Sequence, residues 1–180
     1  MQNNGSKIFV GMLVMTKLKL FENSPEELVA ILQRRGKIES ENGKGFKWQK
    51  FSGLCEVTSY GKAEEGESWE QALEREMNEE LGNEVATAIL KSERKIIHKI
   101  TEDDGDEVTV CVCLLPADFL NKLKLEVSTG GIEIITRGDL NKVKYFRFGT
   151  LENITSTDLN EIIITTLPIE KLKESFEIFG

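Results

Sequence analysis

The chain has little positive charge: 23 Lys and Arg stand against 31 Asp and Glu, and with a single histidine the formal net charge is -8. A surface of that kind lacks the broad positive field of proteins that hold long DNA or RNA, so long nucleic acid is excluded as a partner class. It also lacks a long apolar run. Ile8 to Met15 is the most apolar part of the N-terminal region, but it is far shorter than the ~20 residues of a membrane span and has no small-residue cleavage site. No export or membrane anchor is therefore expected. Cysteines are few and odd in number, and Cys111 and Cys113 are too close together to build a disulfide framework. A reducing cytoplasm suits them. Because these two alternate with Val110 and Val112, strand packing is their expected role.

Repeats, charge blocks and low-complexity tracts are also missing, and 180 residues fit one globular domain spanning 1–180. From Lys7 to Phe21 the pattern reads as a strand passing from buried to half exposed, and Leu28 to Arg35 as a second strand. Ser24-Pro25-Glu26-Glu27 resembles a helix start and makes a helix the minority reading there. The polar, glycine-containing stretch from Gly36 to Lys50 is expected to be a mobile loop. A short apolar segment follows around Phe51 to Val57.

Beyond Gly82, short strands are expected at Ala86 to Lys91, Lys95 to Thr101 and Glu107 to Leu115. Asp104-Gly105 closes the last two into a hairpin with a solvated acidic tip. Pro116 to Lys124 suggests a short helix, Gly131 to Thr136 a strand, and Arg137 to Val143 a brief helix or turn. Pro168 opens a terminal helix with Leu172, Phe176 and Phe179 facing the core. Strands and helices mix without regular alternation, which predicts an α/β fold with a mixed sheet packed between helices.

The chemistry concentrates between Gly61 and Gly82. Ser68 is a good N-cap with Gln71 in capping-box position, and Gly82 suits the end of a helix from Trp69 to Leu81. At about 100° per residue, Trp69, Ala72, Leu73, Met77 and Leu81 share one apolar face. Glu80 falls near the middle of that arc, Glu76 beside it and Glu79 at its edge, while Glu70, Glu74 and Asn78 lie farther round. A charged helix is ordinarily a solvated face, but carboxylates on a core-facing arc lose hydration and repel one another. A divalent cation would compensate them, and hard oxygen donors suit Mg²⁺ or Mn²⁺.

This stretch resembles the box of the Nudix hydrolase family (MutT-like), G-x5-E-x7-R-E-U-x-E-E-x-G-U with U bulky and aliphatic. Gly61, Glu67, Arg75, Glu76, Met77, Glu79, Glu80 and Gly82 match in register. Asn83 departs from the final aliphatic position, Tyr60 from a frequent glycine, and Thr58-Ser59 from a Pro-Gly lead-in. The resemblance implies a Nudix-type α/β/α sandwich and Mg²⁺-dependent hydrolysis (Mn²⁺ as the alternative) of a diphosphate bond. Glu76, Glu79 and Glu80 would be metal ligands, with Glu79 or Glu80 assisting water activation. Glu67 and Arg75 would form an ion pair steadying loop against helix. It further implies a small-molecule substrate, a nucleoside diphosphate linked to another group such as ADP-ribose or a sugar, with nucleoside triphosphates second. A catalytically silent nucleotide sensor is the alternative.

Outside the box, Arg34, Arg35, Lys47 and Lys50 are candidates for substrate phosphate or ribose. Trp48 is read as either a base-stacking ring or a core lid. Glu102 to Glu107 and Glu133 are candidates for a general base. His98 is assigned to packing or a strand edge. Monomer and homodimer are both compatible with the sequence.

Overall fold

A computed structural model describes residues 6–39, 45–49, 52–125, 128–146 and 162–180. In chain order these form β1 (Ile8–Lys19), β2 (Glu26–Arg35), β3 (Lys37–Glu39), β4 (Phe46–Trp48), β5 (Cys55–Val57), β6 (Ser59–Lys62), α1 (Trp69–Leu81) and α2 (Asn83–Lys91). Then follow β7 (Arg94–Thr101), β8 (Glu107–Leu114), β9 (Thr129–Thr136), β10 (Val143–Tyr145), β11 (Ile162–Ile164) and α3 (Ile169–Phe179), with 3₁₀ turns at Ala117–Lys122 and Arg137–Asn141. The main sheet runs β10-β11-β5-β2-β1-β8-β7, with β6 paired to β1 and β9 to β2. It is mixed, because β1 runs parallel to β8 but antiparallel to β2 and β6.

Alternation along β1 divides the core into two layers. Val10, Met12 and Val14 pack with Ala72, Leu73, Met77 and Leu81 of α1 and with Val85, Ala86 and Ile89 of α2. Leu13 and Met15 face the other way, onto Leu172 and Phe176 of α3. The same period sends Cys111 and Cys113 to the first layer and Val110 and Val112 to the second. The result is the α/β/α sandwich expected from the sequence. The cysteines are buried and free. Among the described residues no helix is long and apolar enough to cross a membrane.

Some expectations need correction. Ala86 to Lys91 belongs to helix α2, not to a strand. Val85, Ala86 and Ile89 are all buried, an i, i+1, i+4 spacing that fits helical burial, and Gly82 at φ 84° lets one helix stop and the next begin at once. Leu28 to Arg35 is the strand expected, since β2 begins at Glu26, directly after Pro25, and pairs with β1 from there. The described part of Gly36 to Lys50 is not irregular, because β3 and β4 form a two-stranded ladder; residues 40–44 and Lys50 lie outside the described residues. Trp48 on that ladder is neither lid nor core, being 64% exposed with the Lys37 ammonium 4.6 Å from its ring centre.

One side chain holds the sheet open beside the site. Along the same edge of β1, residues from Val14 onward pair with β2, whereas Phe9 to Met12 pair with β6. Thr58 fills the fork: its buried hydroxyl accepts from the Val14 amide at 2.7 Å and donates to the Ile31 carbonyl. Thr58→Val keeps the shape but leaves both backbone groups without this partner. It should cost about 2 kcal/mol in denaturant unfolding, whereas a loss under about 0.5 kcal/mol would show that the fork does not depend on the hydroxyl.

Candidate active site at the Trp69–Leu81 helix

Helix α1 begins at a full capping box, Ser68 accepting from the Gln71 amide and Gln71 accepting from the Ser68 amide. Its apolar residues bind it to the sheet, and this sets the direction of its carboxylates. Glu76 has a side chain only 14% exposed, whereas that of Glu79 is 57% exposed. The carboxylate of Glu76 lies directly against Gly61, where any Cβ would overlap it. A residue without a side chain is needed at that point of β6.

Arg75 ties the loop before the helix to the carboxylates on it. Its Nε and one terminal nitrogen meet the two oxygens of Glu67 at 2.9 and 3.0 Å, and the latter nitrogen also donates to the Lys62 carbonyl at 2.9 Å. The other terminal nitrogen reaches Glu76 at 2.9 Å and Glu79 at 3.2 Å. The two-pronged geometry holds the Glu67 carboxyl below its usual range through the Arg75 hydrogen bonds, helped by the Glu64 amide. Glu76 moves upward, because burial outweighs the opposing contact with Arg75.

Glu80 points inward. Its Oε2 accepts from the Tyr60 amide at 3.0 Å and from Nε2 of Gln33 at 3.2 Å. Burial nevertheless pushes its proton affinity up to about 7, against the lowering effects of the Ser59 side chain and the Tyr60 amide. It lines a cavity of about 760 Å³ together with Gly61 and Lys62, the aromatic residues Phe9, Tyr60 and Tyr145, and residues of the β7–β8 hairpin. The rings of Phe9 and Tyr60 are nearly parallel with centroids 6.2 Å apart.

The candidates outside the helix are distributed unevenly. Arg34 is nearly buried, its guanidinium meeting Glu133 at 2.7 Å and the Gly53 carbonyl at 2.7 Å. Glu133 is thereby held on β9 by Arg34. Arg35 does line the cavity, in an ion pair with Glu56. The acidic turn is more than a solvated tip, since Glu102, Asp104 and Asp106 line the cavity, and Asp106 accepts from the Lys7 amide at 2.8 Å. His98 lines it too, from edge strand β7, with burial lowering its proton affinity. Lys47 is exposed on β4.

Two site residues were missed from the sequence. Glu56 is a buried carboxylate raised by desolvation despite Arg35, and Gln33 is buried beside Glu80. Their only signal was a polar residue interrupting an apolar strand. Among the described residues no three acidic, histidine or cysteine groups converge as a ready metal-ligand set. Glu76 and Glu79 are drawn to Arg75, while Glu80 is drawn to Tyr60 and Gln33.

A helix that brings one carboxylate, Glu80, to a cavity beside a mixed sheet, with an arginine clamping its leading loop, is the site of this α/β/α sandwich. Residues 20–158 match the family model described as the NUDIX domain. The chain belongs to the Nudix family and is a Nudix hydrolase acting on diphosphate bonds. Solved structures agree in fold. A mutT/nudix family protein from Listeria innocua is similar at TM-score 0.53 and 20% identity, over 75% of this chain and 82% of that one. A MutT/nudix family protein from Enterococcus faecalis is similar at TM-score 0.57 and 14% identity, over 99% of this chain and 63% of that one. Comparison with curated proteins returns no match.

The buried Glu80 makes the metal-free protein sensitive to pH. Its carboxyl holds a proton up to about 7 when folded but releases it near 4.3 when unfolded, so its stability contribution is present at low pH and lost as pH rises through that window. Glu80→Gln removes the dependence. In chelator, the stability gained by this variant over wild type should widen by about 2 kcal/mol between about pH 5 and pH 8, and a pH-independent difference in unfolding free energy would contradict the assignment.

Proposed function

We propose that this protein hydrolyses the diphosphate linkage of a nucleoside diphosphate joined to another group, with ADP-ribose and nucleotide sugars first and nucleoside triphosphates second. The observation that carries the reading is Glu80, a buried carboxylate on the wall of a cavity large enough for a nucleotide. Phe9, Tyr60 and Tyr145 supply flat apolar surface on which a base can stack. Tyr60, a departure from the usual glycine, thereby shapes the pocket.

The donor set fits a hard divalent cation, Mg²⁺ or Mn²⁺, because Glu76, Glu79 and Glu80 offer only oxygen and the burial of Glu80 leaves its charge poorly compensated. Those three residues would hold it. When bound, such an ion neutralises charge on phosphate oxygens and makes water more acidic. Glu79 or Glu80 takes the proton of the attacking water as it approaches phosphorus in line with the leaving oxygen, giving two phosphate-bearing products. Arg75 and Glu67 steady the helix against its loop. Arg35 receives substrate phosphate at the cavity, and Arg34 supports it from the β2–β9 side. Glu102, Asp104 and Asp106 are the positions from which a further base would act.

The substrate is a small molecule met in the cytoplasm, where the free buried cysteines stay reduced. The other reading, a nucleotide sensor without turnover, is separated by experiment. A panel of dinucleoside polyphosphates, ADP-ribose, nucleotide sugars and nucleoside triphosphates is incubated with Mg²⁺ or Mn²⁺, and phosphate and nucleotide release are followed. At least one diphosphate compound should be cleaved, and Glu80→Gln should lower kcat by about 100-fold or more while remaining folded. Binding without release across the panel would favour the sensor; a fully active Glu80→Gln would remove Glu80 from the chemistry.

A further inference from the structure

The box places Glu80 on α1, but no box residue reaches across to hold its carboxylate from the sheet. Gln33 does this from near the C-terminal end of β2, opposite Glu56 on β5 and Ile132 on β9. It is only 4% exposed, and a buried amide is costly unless both its ends are bonded. Both are: Nε2 donates to Glu80 Oε2 at 3.2 Å, and Oε1 accepts from the Thr129 hydroxyl of β9 at 3.0 Å.

We propose that Gln33 is a positioning residue for Glu80, itself set by Thr129, so that a β9–β2–α1 hydrogen-bond chain presents one oxygen of that carboxylate to the cavity. The orientation follows from donor chemistry. When Glu80 is ionised its carboxylate can only accept, so the amide then turns its NH₂ toward Glu80 and its oxygen toward Thr129, whose hydroxyl can donate. The Gln33 and Tyr60 donors come from β2 and β6 and fall on the same atom, Oε2. Rotation of the carboxyl group is thereby opposed from two directions. A glutamate side chain otherwise has several rotamers to lose, and a site held loosely by even about 1 Å works poorly.

This inference rests on the reading of Glu80 as an acting carboxylate, and its test separates the two. Gln33→Met keeps the length and packing of the side chain without its polar ends, and Thr129→Val keeps the shape of threonine without its donor. Mn²⁺ binding to the substrate-free protein, kcat and KM on the best substrate of the panel, and thermal unfolding are measured for both and for the double variant. Gln33→Met should weaken Mn²⁺ binding and lower kcat by about 10-fold or more, with KM changed less than about 2-fold. Thr129→Val should lower kcat several-fold alone but have almost no effect in the Gln33→Met background, because it acts through the amide.

A folded Gln33→Met with wild-type kcat and Mn²⁺ affinity overturns the proposal. So does a Thr129→Val effect that is equal in both backgrounds. Should Gln33→Met not fold, Thr129→Val decides alone, and unchanged kcat and Mn²⁺ affinity overturn the proposal. A wild-type protein that neither binds Mn²⁺ nor cleaves any diphosphate sinks the hydrolytic reading and this inference together, whereas an active wild type with indifferent variants sinks only the latter.

Discussion

The structure is organised around the cost of removing a carboxylate from water. Glu80 of α1 is turned toward the sheet and largely removed from water, bonded by one backbone amide and one side-chain amide, yet its proton affinity still rises to about 7. Two neutral donors do not replace the hydration shell of an ion. A carboxylate in that condition is the one the proposed cation would compensate, and it borders the cavity.

Two devices act in opposition around it. Arg75 pulls Glu76 and Glu79 toward the loop and closes on Glu67, which satisfies charge near the helix surface. Gln33 and Tyr60 fix Glu80 from the sheet side. Gly61 separates the two, since only a residue with no side chain lets the Glu76 carboxylate lie against β6. The fork in β1 filled by Thr58 belongs to the same arrangement, because Thr58 links β5 to strand β6, which carries Tyr60 and Gly61.

Local pattern was a sound guide where one face of an element is buried and its neighbours are near in sequence. Helix α1 is legible from Ser68 to Gly82, and the alternation of Cys111 and Cys113 with valines is legible as packing. Pattern failed at Ala86 to Lys91, where a short apolar run fits either period and the decision came from contact with β1 and the preceding helix. The acidic turn at Glu102 to Asp106 is exposed at Asp103 and Asp104, as its composition suggests, but only the hairpin shows that Glu102, Asp104 and Asp106 border the cavity.

The sequence by itself determined the α/β class, the helix that carries the carboxylates, and the inward direction of Glu76 and Glu80, because helix period and capping act over a few neighbouring residues. Only the tertiary structure decided what faces them. Gln33 lies 47 residues from Glu80 in the chain, and Arg34 lies 99 from Glu133. Separations of that size carry no local signature; sheet register, set by the burial of two apolar layers at once, chooses which polar side chain meets which.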